Sequence, residues 1–239
     1  MNLLINGGSI SRGPTSWPYA IQKKFNSNIV NLSQAGAGNT YLHETTISEL
    51  AQRTYDLVIV QWVPFIRIDY KVQNIELFNN TIFTSNYQYK QNDWPGKIIY
   101  PINDQDYVEK DWIFGCGYAV NQDRDPNIVK VFENYYQYIG SSEQTYHLLI
   151  KMISLQSYLK ANSIPYLFCF GRKFKTFDRH RHLFNQLDMN HMYVDQFLLD
   201  IAENNNMWDV TDQSHPSPEA YEIYANLLIE KIQGLMIRE

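Results

Sequence analysis

The sequence predicts an α/β fold: an open, mostly parallel sheet of five strands with helices on both faces. Two observations predict it. Short, continuous apolar runs rich in β-branched and aromatic residues suit strands covered on both sides. They alternate with longer amphipathic segments that suit helices. At 239 residues the chain is long enough to bury a sizeable core. It reads as one domain over 1–239, with an irregular insertion over about 65–140.

The first strand is NLLIN (2–6). It stops at Gly7 and Gly8, which let the backbone turn tightly or approach another group closely, and Ser9 stands at the lip of that turn. SWPYAIQKKF follows as a helix, with Ser16 as N-cap and Pro18 in the first turn. IVNLS (29–33) is the second strand, and QAGAGNT then turns the chain through Gly36, Gly38 and Asn39 into the helix YLHETTISELAQR, which ends near Arg53. DLVIVQW (56–62) is the third strand.

Residues 65–140 are rich in Asn, Tyr, Gln and Asp, with turn signals at NDWPG and PIND and a hairpin around GKIIYPI. A stretch of that length acts as a lid or binding wall, or else packs as a subdomain. SSEQTYHLLIKMISLQSYLKANS is a helix with a capping-box pair, Ser141 and Gln144, and an apolar face of Leu149, Met152, Ile153 and Leu159. IPYLFCFG (164–171) is the fourth strand, and MWDV supplies a short fifth. SPEAYEIYANLLIEKIQGL closes the chain as a helix with Pro218 just inside its start.

The formal charge of −5 argues against a nucleic-acid partner, whose phosphates need a basic surface. No window approaches the roughly 18 apolar residues of a membrane span, and no secretory leader pattern opens the chain. A cytoplasmic protein with no membrane partner is expected. Cys116 and Cys169 have neither metal-ligand nor disulfide spacing. His180, His182 and His191 are poorly spaced for a metal, so no metal site is expected. The run GRKFKTFDRHRHLF reads as a solvated basic face, or, since it follows the fourth strand, as a rim of the cleft that attracts an anionic substrate. Trp62, Trp94 and Trp112 either stack on a sugar ring or fill the core.

Every candidate polar group follows the carboxyl end of a strand, where open α/β sheets bind ligands. Ser9 follows the first strand and Gly36 and Asn39 the second. The segment QWVPFIR, with Gln61, Trp62 and Arg67, closes the third. Asp212 and His215 precede the last helix. Acyl transfer is the chemistry these groups suit. A serine hydroxyl is a poor nucleophile until an imidazole takes its proton, and a carboxylate fixes that imidazole's tautomer. Backbone N–H groups of Ser9 and Gly36 then face a developing oxyanion. The plainer roles are a helix cap for Ser9 or Asn39 and a simple strand-to-helix turn for Gly36 and Gly38.

Three segments together resemble the SGNH, or GDSL-type, hydrolases. INGGSISRG is similar to that family's first block, with Gly8 where an Asp is usual. VNLSQAGAGNT is similar to the second, and DQSHPSPEAY to the last. The resemblance implies a flavodoxin-like sheet, Ser9 as nucleophile, Asp212 and His215 completing the triad, and Ser9 and Gly36 as oxyanion donors. The family's third-block asparagine is missing after the third strand. Gln61 or Asn39 substitutes for it, or two backbone donors suffice. The QW pair with Arg67 following resembles a divergent branch associated with phages and bacterial surface-sugar loci, which implies Arg67 as a binder of an anionic substrate group, beside Trp62 as a candidate to stack on substrate, and allows a virion setting.

The expected function is a serine esterase that removes a small acyl group, such as acetyl, from a carbohydrate or other small ester through an acyl-enzyme. No cofactor is required. The alternatives are an O-acyltransferase using the same triad, or a catalytically silent glycan-binding or assembly protein on the same fold.

Overall fold

β1 (Asn2–Asn6) lies inside the sheet because neither of its faces meets water: Leu3, Leu4 and Ile5 are wholly buried. In this computed structural model, residues 1–34, 36–63, 67–71, 98–99, 112–116, 141–173, 178–211 and 215–236 are described. α1 (Trp17–Phe25) follows, with Ser16 at its N-cap and Pro18 in its first turn as expected, although the Ser16 hydroxyl donates to the Gly13 carbonyl rather than capping the helix. β2 (Asn28–Asn31), α2 (Asn39–Leu50) and β3 (Leu57–Trp62) come next.

The region after β3 contributes β4 (Arg67–Lys71), β5 (Ile98–Ile99) and β6 (Trp112–Cys116). α3 (Ser141–Ala161), β7 (Tyr166–Phe170), the single turn α4 (Arg181–Phe184), β8 (Met192–Tyr193), α5 (Leu198–Asn204) and α6 (Pro218–Met236) complete the order.

The open sheet has all its strands parallel, in the order β2-β1-β3-β7-β8, with the two residues of β5 added outside β2. Period-two alternation sends successive side chains of each strand to opposite layers. Leu4, Val58, Val60 and Phe168 pack beneath α2 and α3 with Tyr41, Leu149, Met152 and Leu155. Leu3, Ile5, Ile59 and Leu167 pack beneath α1, α5 and α6 with Trp17, Ile21, Ala202, Tyr224 and Leu228.

Two expectations are corrected. The fifth strand of the sheet is β8, not the segment at Met207: Trp208 instead bridges antiparallel to Pro216. Met192–Tyr193 is too short to show a period, so sequence pattern alone passes over it. Within GKIIYPI, Ile98 and Ile99 pair parallel with Ile29 and Val30 of the main sheet, as an edge strand. The rest of that segment lies outside the described residues. β4 and β6 pair antiparallel as a separate two-stranded ribbon.

The direction of α6 places the end of the chain's last loop. Leu235 and Met236, at its C-terminal end, border a shallow depression with Asp56, Leu57, Pro165 and Tyr166 at the amino ends of β3 and β7. Tyr224, nearer its start, donates to the Phe170 carbonyl at the carboxyl end of β7 (3.0 Å). The helix therefore runs against the strands. His215, just before it, lies at the same carboxyl edge as the turns that leave β1, β2 and β3.

Candidate active site

Ser9 opens a 3₁₀ turn, Ser9–Ser11, at the carboxyl end of β1. The turn is fixed by backbone bonds from Ser11 N–H to the Gly8 carbonyl (3.0 Å) and from Arg12 N–H to the Ser9 carbonyl (3.1 Å). Both glycines before it make room for a neighbour. A Cβ on Gly7 would stand 2.5 Å from Ser11 Oγ, and one on Gly8 would stand 2.4 Å from Arg67 Nη1. Ser9 is half-buried, and among the described residues its hydroxyl makes no hydrogen bond.

A buried polar layer holds this turn from below. Ser11 Oγ donates to Gln61 Oε1 and accepts from Trp17 Nε1 (3.2 Å), and Asn31 Nδ2 donates to the Ser11 carbonyl (2.9 Å). Asn6 Nδ2 ties the end of β1 to α2 through the Leu42 carbonyl and the hydroxyls of Thr45 and Thr46. These groups are partnered, as most polar groups removed from water are, except Gln61 Nε2, which is buried with no partner among the described residues. The sequence does carry a signal for them, since an asparagine stands at the end of both NLLIN and IVN, but it gives no reason to prefer bracing over a surface role.

The second loop is fixed just as closely. Gly36 sits at φ 82°, in the left-handed region that glycine tolerates. Gly38 is the residue before α2, and Asn39 is its first residue, so Asn39 is not the cap. Asn39 instead bonds Val63 in both directions: Nδ2 donates to the Val63 carbonyl (2.9 Å), and Val63 N–H donates to Oδ1 (3.1 Å). The helix start is capped from outside by Asp69 of β4, whose carboxylate accepts from the N–H groups of Thr40 and Tyr41. Burial pushes the Asp69 carboxyl up, and those two bonds, with the charge of Lys151, oppose the rise.

Arg67, at the start of β4, is half-buried, and its Nη1 donates to the Ala37 carbonyl (3.3 Å). The first ribbon strand after β3 is thus fastened over both glycine loops, through Asp69 at α2 and Arg67 at Gly8 and Ala37.

Two of the residues expected at the site lie beneath it. Gln61 is fully buried and faces Ser11, on the α1 and α6 side of the sheet. Trp62 alternates to the other side, fully buried, with its ring edge-on to Phe168 at 5.4 Å between centroids. A ring with no exposed face offers nothing for a sugar to stack on, so Trp62 is core. Trp94 lies outside the described residues.

His215 is half-buried. It is held by the small antiparallel pairing in which Asp209 N–H donates to the His215 carbonyl and Ser217 N–H to the Met207 carbonyl, both 2.8 Å. Asp212 lies outside the described residues. The structure thus brings Ser9, Gly36, Asn39, Arg67 and His215 to one edge of the sheet, with no hydrogen bond joining Ser9 to His215. The histidines considered as a metal set are held by different elements: His180 by Ser142 and Tyr146, and His191 stacked on Tyr166.

No family profile and no curated protein sequence matches the chain. Solved structures do. The structure of TesA superposes with a TM-score of 0.52 at 13% identity, covering 98% of this chain and 99% of that one. The psychrotrophic esterase EstA from Pseudoalteromonas sp., in a form inhibited by monoethylphosphonate, superposes with a TM-score of 0.50 at 12% identity, covering 98% of both chains. A lipolytic protein of the G-D-S-L family from Veillonella parvula gives 0.45 at 12% identity, covering 96% and 97%. With its parallel sheet and its special residues gathered at the carboxyl edge, the chain has the SGNH-hydrolase fold that its three motifs resemble.

Proposed function

We propose that the chain is a serine esterase acting through Ser9, and that its substrate is a small acyl ester, acetyl on a carbohydrate hydroxyl being the favoured case. One observation carries the reading. The fold sets Ser9 at the lip of a braced turn on the edge of the sheet where the Gly36 loop and His215 also stand. The acetyl group and the sugar rest on the motif resemblance alone.

The chemistry follows in order. His215 takes the proton of Ser9 Oγ as the oxygen attacks the ester carbonyl. Asp212, three residues earlier in the sequence, fixes the tautomer of His215 and stabilises the imidazolium. Backbone N–H groups of Ser9 and Gly36 face the oxyanion. His215 then returns the proton to the leaving alcohol, and water, deprotonated by the same imidazole, releases the acid and restores Ser9.

Hydrolysis of p-nitrophenyl acetate by the purified chain tests this beside Ser9→Ala, His215→Ala and Asp212→Asn. Turnover that is lost in the first two variants and reduced in the third is the expected result. Absence of turnover in the unsubstituted chain, with no labelling of Ser9 by a fluorophosphonate, overturns the reading in favour of a silent glycan-binding protein, for which the missing third-block asparagine already speaks. Labelling without turnover points to an O-acyltransferase that needs a specific acceptor.

A further inference from the structure

The family's side-chain oxyanion donor is absent here, and of the two amides nearest at hand one is buried under the site and the other is committed elsewhere. Gln61 is fully buried beneath the turn, with its oxygen on Ser11 and its Nε2, unpartnered among the described residues, shut away from the surface. Asn39 spends its carboxamide on both backbone groups of Val63. Arg12, which closes the Ser9 turn, donates to Gln34 Oε1, and a further donor at this edge is Arg67. Its Nη1 occupies the space where a side chain on residue 8 would begin, 2.4 Å from an ideal Cβ on Gly8. The same nitrogen donates to the Ala37 carbonyl. One guanidinium nitrogen therefore lies against the residue next to Ser9 and against the residue next to Gly36, between the two loops whose N–H groups face the oxyanion in the esterase reading.

Two further observations fit a role in chemistry. Gly8 has extended backbone angles, φ −89° and ψ −161°, that any residue adopts. A glycine is not needed there for conformation; what it provides is room for the guanidinium and, at 3.1 Å from an ideal Cβ, for Val63 Cγ1. Among the described residues, moreover, no carboxylate pairs with Arg67. Asp69, on the same face of β4, is turned to the start of α2.

We propose that Arg67 is the side-chain donor to the oxyanion, a charged replacement for the missing asparagine; this rests on the esterase reading above. A guanidinium stays protonated at any working pH and carries five N–H donors, so the bond to Ala37 leaves others for a ligand. Its attraction to a full negative charge exceeds that to a neutral ester carbonyl, which lowers the barrier rather than merely tightening substrate binding. Arg67 gives up no proton at any step; the proton moves between Ser9 and His215 as already described.

The test uses the full chain and p-nitrophenyl acetate, with Arg67→Gln, Arg67→Lys, Gly8→Ala and the Gly8→Ala/Arg67→Gln pair, thermal unfolding being followed for each. Arg67→Gln is expected to lower kcat by about 10²–10³ with KM little changed, the usual effect of losing one oxyanion donor. Arg67→Lys, with its charge kept but its fork lost, should fall between. Gly8→Ala keeps the backbone conformation but displaces Nη1, so it should lower kcat by itself and add less than about threefold in the Arg67→Gln background.

Ser9-dependent turnover that survives Arg67→Gln undiminished overturns the assignment and leaves the esterase reading standing. A raised KM with kcat unchanged also overturns it and makes Arg67 a ground-state binder of substrate. Fully multiplicative losses for Gly8→Ala and Arg67→Gln overturn the shared-space argument. If the unsubstituted chain shows no Ser9-dependent turnover, both readings fall together.

Discussion

Asn39 and Val63 exchange two hydrogen bonds, one from side chain to backbone and one from backbone to side chain, at 2.9 and 3.1 Å. A side-chain amide here copies what a neighbouring strand would do, and it pins the exit of β3 to the start of α2. Removing it leaves a partly buried N–H and a partly buried carbonyl of Val63 without partners. Asn39→Ala is therefore expected to destabilise the chain by about 1–3 kcal/mol, since an orphaned buried group costs more than a hydrogen bond contributes. Urea unfolding checks this, and an unchanged midpoint contradicts the clasp.

The two serines of the first turn should respond in opposite ways. Ser11 is fully buried and both donates to Gln61 and accepts from Trp17. Ser11→Ala strands two buried polar groups and is expected to cost about 2–4 kcal/mol. Ser9 stands at the lip, with no hydrogen bond from its hydroxyl among the described residues. Ser9→Ala should stay within about 0.5 kcal/mol of the unsubstituted chain. Denaturation midpoints of the two variants decide the matter: similar losses would remove the distinction between a bracing serine and a presented one.

Ser9, Gly36 and His215 were legible because each follows an apolar run or precedes a helix with a Pro start, and topology alone carries such positions to one edge. Gln61 and Trp62 were not. Both stand at the end of β3 with polar atoms, and nothing local says that period-two alternation turns one under Ser11 and the other against Phe168. Burial there is decided by α1, α3 and α6, elements far away in sequence. The same limit applies to Asp69 as the cap of α2, because a capping residue 28 and 29 positions downstream of the N–H groups it accepts from follows no local rule. Arg67 was singled out through the resemblance carried by the QW segment, yet its place over Gly8 depends on how β4 folds back. Met192–Tyr193 escaped for a different reason: two residues are too few to show a period.

Alkaline conditions should weaken the fold through Cys169. Its thiol is wholly buried on β7, and burial pushes its pKa up from 9 to about 12, with the neighbouring Tyr224 hydroxyl opposing the rise. A thiol whose pKa is raised in the folded chain favours folding as long as it is neutral in both states. That contribution is full below pH 9, the unfolded value, and is lost as pH rises towards 12 because the unfolded chain releases the proton first. The loss amounts to about 1.4 kcal/mol per pH unit across that window. Tyr193, pushed up to about 12 by burial, with nearby carboxylates adding to the rise, acts in the same direction from a higher starting point. Urea midpoints measured between pH 8 and pH 11 should fall with rising pH, and Cys169→Ala should flatten the fall, although the lost sulfur lowers the midpoint at every pH. An equally steep fall in Cys169→Ala would assign the alkaline weakness to the tyrosines instead.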